Sequence, residues 1–133
     1  MDTHNTKSPK GSLAKALWFK AARVSQQLDK TLGAMHGIGL TEYMALKCLV
    51  ESETQAMRRI DLADSLERTG SGVTRLLLPM EKIGLVSKES DDRDARVSLV
   101  KVTRAGEELF YNASDTIDRR ADSLEALCCC SST

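Results

Sequence analysis

Apolar residues at Leu13, Leu17, Ala21, Val24, Leu28 and Leu32 recur at intervals of three or four, which places them on one face of a helix. The spacing predicts a long first helix. Gly33, Gly37 and Gly39 then interrupt the period, and Thr41 stands where a hydroxyl would cap a second helix with Ala45, Leu46, Leu49 and Val50 on its buried side. After a polar connection over 51–54, a third helix fits 58–67 with Ile60, Ala63 and Leu66 inward. Thr69 is placed to cap a fourth over 70–83, in which Val73, Leu76, Leu77 and Met80 face the core while Ser71, Thr74, Arg75 and Leu78 face out. Pro79 removes the hydrogen bond to the Arg75 carbonyl, so a bend is expected in the C-terminal half of that helix.

Gly84 suits a left-handed helix end, and 85–90 and 97–103 read as two strands. The loop between them, 91–96, is charged at every position except Ala95, so it must project into solvent. Thr103 can cap a last helix with Glu107 and Glu108 in its first turn, and Leu109, Ala113, Thr116, Ile117, Ala121, Leu124 and Leu127 carry its apolar stripe. The order describes a mainly α fold with a small β-hairpin wing, a winged helix-turn-helix of the α+β kind. A polar helix face beside an Arg-tipped hairpin offers one element for a DNA major groove and another for the flanking groove.

Composition narrows the picture further. With 133 residues and 41% hydrophobic content the chain has the makings of one core. No apolar run approaches the roughly 18 residues of a membrane span, and the opening MDTHNTKSPKGS lacks the apolar stretch of a secretory signal, so residues 1–12 are expected to be a disordered arm on a cytoplasmic protein. Net charge is zero but segregated: Lys plus Arg against Asp plus Glu runs 6 to 2 over 1–40, 1 to 3 over 41–57, 10 to 8 over 58–104 and 2 to 6 over 105–133. DNA affinity would therefore depend on where Arg58, Arg59, Arg75, Arg93 and Arg96 point, more than on the overall field.

Cys48 stands alone and Cys128, Cys129 and Cys130 are contiguous, a pattern unlike the spaced pairs of zinc sites or disulfide frameworks. No metal or other cofactor is expected. Gly70-Ser71-Gly72 lacks the Gly-Lys-Ser/Thr ending and upstream strand of a nucleotide-binding loop, and no nucleophile, base and orienting group fall together, which argues against an enzyme.

The succession TEYMALKCL, DLADSLERTGSGVTRLLLPMEKIGLV and DDRDARVSLVKVTRAGEEL resembles the MarR family of bacterial transcriptional regulators, over about residues 13–127. The resemblance implies a sequence-specific, double-stranded-DNA-binding regulator, a homodimer on a palindromic operator and more often a repressor released by a small aromatic or lipophilic ligand. It implies a dimerisation helix and loop over 13–40, a DNA-binding lobe over 41–103 and a second dimerisation helix over 104–127. Carried over by position, Ser71, Thr74 and Arg75 face the major groove, Arg96 is the wing-tip arginine, and Asp94 is its orienting partner. The ending LCCCSST, with an irregular tail over 128–133, departs from the sixth helix usual in the family, which implies a weaker dimer.

Polar helix faces and charged hairpin tips are ordinarily just solvated. Here the helix face, the preceding helix and the wing coincide, and arginine's planar fork suits guanine O6 and N7. Three carboxylates at 91, 92 and 94 would repel a DNA backbone unless internally paired, so Asp94 is expected to clamp Arg96 or Arg93. Trp18, Tyr43 and Met44 are the residues available to line an effector pocket, against the plainer reading that they pack a core. Two other functions fit the same chain: a winged-helix protein-interaction module without DNA binding, and a thiol-switch regulator using Cys48.

Overall fold

Proline is tolerated in the first turn of a helix because its missing N–H would have no partner there. In the computed structural model, which describes residues 9–123, α1 (Pro9–His36) begins at such a proline, four positions before Leu13. Residues 9–12 are thus helical and not part of a disordered arm; the rest of that arm lies outside the described residues. Nor does Gly33 break α1. A single glycine costs a helix about 1 kcal/mol, and the helix is held on either side of it by Leu32, which is fully buried, and by His36, whose Nε2 lies 2.7 Å from Thr116 Oγ1. It ends where Gly37 adopts φ +71°, with the Gly37 N–H donating to the Gly33 carbonyl.

The N-terminus of α2 (Leu40–Glu51) is capped from a distance. Gly39 occupies the cap position without a side chain, and Asp29 of α1 accepts the Leu40 N–H at 2.8 Å. Thr41, the expected cap, instead accepts a hydrogen bond from Arg68 Nη2 at 3.2 Å. Next comes β1 (Ala56–Arg58), a strand too short for alternation to reveal, entered through Gln55 at φ 58°.

Helix α3 (Arg59–Ser65) is shorter than expected, and its buried face is different. Leu62 and Ala63 are in the core, whereas Ile60 is 66% exposed. At about 100° per residue, Ile60 lies on the opposite side of the helix from Leu62. In α4 (Gly70–Lys82) the Thr69 hydroxyl accepts the Gly72 N–H, and Val73, Leu77 and Met80 are buried. The helix continues past Pro79, whose ring is on the exposed face, where water can reach the Arg75 carbonyl it leaves without a partner. Gly84 at φ +83° then closes it, with Leu85 N–H bonded to Met80 O and Gly84 N–H to Glu81 O.

Strands β2 (Val86–Ser90) and β3 (Ser98–Val102) form the wing, and β1 adds to the other side of β3 in an antiparallel sheet of order β1-β3-β2. Val86 faces Val102 and Ser90 faces Ser98. Helix α5 (Arg104–Arg119) starts at Thr103, whose hydroxyl accepts the Gly106 N–H and donates to the Gly84 carbonyl, fastening the helix start to the end of α4. Its buried face is Gly106, Phe110, Ala113 and Thr116. The stripe is not one straight run: Arg120 N–H bonds to Ile117 O at a turn, and helical backbone resumes over 121–123. Leu124, Leu127 and the tail with Cys128 to Cys130 lie outside the described residues.

Leu32, Leu46, Leu49, Leu62, Val73, Met80 and Val100 are the largest fully buried side chains, drawn from α1 to α4 and β3 around one core. Of the first-helix stripe only Leu32 is buried; Val24 and Leu28 are half-buried, and Leu13, Leu17 and Ala21 are exposed. The described core therefore secures the C-terminal end of α1 and leaves its N-terminal half standing clear. Among the described residues no helix is long and apolar enough to cross a membrane.

Candidate nucleic-acid interface

The buried triad Val73, Leu77 and Met80 fixes the rotation of α4 about its axis, and so decides which residues it presents outward. Ser71 and Arg75 are exposed, and Arg75 makes no hydrogen bond or ion pair among the described residues. Thr74 is different: half-buried, its hydroxyl donates to the Gly70 carbonyl at 3.0 Å and accepts from Arg59 Nη1 at 3.4 Å. The expected groove-facing threonine is thus already engaged within the protein, through an arginine that periodicity did not single out.

At the wing, the turn over 91–96 is closed by Asp91 N–H to Val97 O and Val97 N–H to Asp94 O. Each of two aspartates caps the backbone two residues ahead: Asp91 accepts the Arg93 N–H and Asp94 the Arg96 N–H, both at 3.0 Å. Asp94 also lies 3.4 Å from Arg96 Nε, so its side-chain partner is Arg96 and not Arg93. The strand lysines are neutralised, Lys88 by Glu81 and Lys101 by Glu89, each at 3.7 Å. Arg58, Arg59, Arg68, Arg75, Lys82 and Arg93 make no ion pair among the described residues and carry the free positive charge of this lobe.

The three residues considered for an effector pocket occupy three different settings. Trp18 is 65% exposed on α1, edge-on to Phe19. Tyr43 is in the core, its ring stacked on Phe110 at 5.3 Å and its hydroxyl 2.8 Å from Ser114 Oγ. Met44 is partly exposed beside Leu66 and Arg68. Within one chain, then, Trp18, Tyr43 and Met44 do not converge on a common cavity. A different cavity, of about 440 Å³, lies behind α4 between Asp29, Thr41, Glu42, Arg68, Arg75 and Leu76. Its lining mixes these charged and hydroxyl side chains with Leu76, Pro79 and two glycines.

Cys48 is half-buried, and burial pushes its thiol pKa up despite the opposing charge of neighbouring Lys47. A raised pKa lowers the thiolate fraction on which redox sensing depends. No group of three or more His, Cys, Asp or Glu is placed to hold a metal among the described residues.

Comparison with known proteins agrees with this fold. Residues 38–98 match the sequence model of the MarR family. The HTH-type transcriptional regulator PrsX of Escherichia coli is 27% identical over 84 residues, 63% of this chain and 50% of that protein, so the chain spans about half the length of the curated relatives it matches. Among solved structures, AbsC, a MarR family transcriptional regulator from Streptomyces coelicolor, superposes with a TM-score of 0.75 at 24% identity, covering 89% of this chain and 82% of that one. Sco3205 from the same organism, a MarR family regulator solved in complex with DNA, gives 0.80 at 22% identity, covering 89% and 75%. The transcriptional regulator BldR from Sulfolobus solfataricus gives 0.79 at 20% identity, covering 86% and 81%.

Proposed function

We propose, from the premise that residues 38–98 form a MarR-family winged-helix segment, that the chain is a sequence-specific double-stranded-DNA-binding transcriptional regulator. It acts in the cytoplasm as a homodimer on a palindromic operator. The observation that carries this reading is the pairing of two displayed arginines: Arg75, on the exposed face of α4 without a partner among the described residues, and Arg96, directed by Asp94 at the wing tip. Helix α4 enters the major groove with Ser71, Thr74 and Arg75, while Arg93 and Arg96 reach the flanking groove, where a narrow minor groove focuses negative potential. Two recognition helices must lie about 34 Å apart to meet successive major grooves, so a few ångströms of lobe movement suffices to release the operator. We assign the chain to repression relieved by a small aromatic or lipophilic effector; of Trp18, Tyr43 and Met44, the exposed Trp18 and Met44 are the ones open to such a ligand, Tyr43 being in the core.

Selection of bound fragments from a random duplex pool tests the reading. The expected result is an inverted repeat with half-sites about 10 base pairs apart, bound with an affinity that falls steeply as salt rises. No enrichment, or association with a protein that is insensitive to salt, would assign the lobe to protein interaction instead. For the effector, a panel of phenols and aromatic acids should lower DNA affinity and, by linkage, bind the free protein more tightly than the complex.

A further inference from the structure

Between the start of α3 and the turn end of β3 in the wing lies a shallow groove of about 260 Å³, lined by Arg58, Arg59, Ile60, Val97 and Ser98. Its charge sets it apart from the two larger cavities of this lobe. Glu89, Asp91 and Asp92 line the one of about 520 Å³ under the wing, which Arg58 also borders from its other side, and Asp29 and Glu42 the one beside α4. The smaller groove has two arginines and no carboxylate in its lining.

Arg59 is incompletely satisfied there. Its Nε is buried without a hydrogen-bond partner, and its Nη1 reaches Thr74 Oγ1 only at 3.4 Å, near the outer limit of a hydrogen bond. Neither Arg58 nor Arg59 forms an ion pair among the described residues. Donors left without acceptors are costly, and a guanidinium fork is matched by the paired oxygens of a phosphate. The groove also spans the two reading elements: Arg59 leans on Thr74 of α4, and Arg58 faces Leu99 across the β1–β3 ladder near the turn of the wing. When a helix fills the major groove and a wing the adjacent minor groove, what passes between them is the sugar-phosphate backbone.

Resting on the DNA-binding reading above, we propose that Arg58 and Arg59 seat one backbone phosphate of the duplex between the recognition helix and the wing, with Arg59 coupling that phosphate to the Thr74 hydroxyl. The seat positions the protein without reading sequence. Arg59 thereby links phosphate capture to the orientation of a side chain on the base-reading face.

The test uses the duplex that the wild-type chain selects from random sequence, with a random duplex of equal length beside it. R58Q and R59Q should each weaken binding to both duplexes by a similar factor. Together they should flatten the slope of log affinity against log salt by about 0.9 per bound protomer, leaving the preferred sequence unchanged. R59K keeps the charge and should keep the slope while losing affinity through the lost fork. A double variant with the wild-type slope overturns the seat, as does an R59K that loses the slope as R59Q does. Should R59Q fail to fold, R58Q decides alone, because Arg58 is exposed; wild-type affinity on both duplexes there overturns the proposal. A wild-type chain that binds neither duplex overturns the DNA-binding reading itself, which is a different outcome from losing the seat.

Discussion

Asp94 holds Arg96 at the tip of the wing by accepting its backbone N–H at 3.0 Å while lying 3.4 Å from its Nε. With the arginine side chain 92% exposed, the ion pair adds little to stability; its consequence is direction. Asp94→Ala should therefore weaken DNA binding while hardly moving the thermal midpoint, since the turn loses its aspartate bond and Arg96 its aim. Fluorescence anisotropy at fixed salt, beside a thermal melt, measures both. Tighter binding by the variant would mean that removing a negative charge outweighs positioning.

Arg75 stands on the exposed face of α4 without a partner among the described residues. Arg75→Ala should cost about 1 to 3 kcal/mol on the preferred duplex and relax discrimination at one base pair in each half-site. Repeating the random-pool selection with the variant reads the second effect directly. An equal loss on preferred and random DNA would leave Arg75 with a phosphate contact only.

Gly106 of α5 sits where a Cβ would run into the Leu85 carbonyl oxygen and crowd the Val102 side chain. The obstructing atom is backbone and cannot rotate away. Gly106→Ala should push α5 off the end of α4 and destabilise the fold by about 1 to 3 kcal/mol, the usual range for overpacking. Urea unfolding checks this, and an unchanged midpoint would mean that α5 has slack against Leu85.

Leu13, Leu17, Trp18 and Phe19 are all more than 60% exposed on the N-terminal half of α1. Full burial of such side chains stabilises by about 1.5 to 3 kcal/mol each, which a second protomer can supply after association costs are met. Leu17→Glu should shift sedimentation in reductant toward monomer and lower affinity for an inverted repeat more than for a single half-site. A variant that stays dimeric would place the interface on another surface.

Most of the architecture was legible in the sequence because it depends on local chemistry. Apolar spacing places α4 with Ser71 and Arg75 outward; Thr69 and Thr103 cap where their hydroxyls stand; Gly84 alone among its neighbours takes the left-handed turn cheaply. The loop over 91–96 projects because charged residues cannot be buried unpaired. Tertiary structure decided what local chemistry leaves open. Asp29 caps α2 from eleven residues away, displacing Thr41 from that position, and Ile60 turns outward because Leu62 takes the core. The strand β1 exists only because β3 supplies its hydrogen bonds, three residues being too few to show a period. Arg59, outside every periodic pattern, reaches Thr74 fifteen residues on and the turn end of the wing only once the chain has closed on itself, for such contacts join residues far apart in sequence.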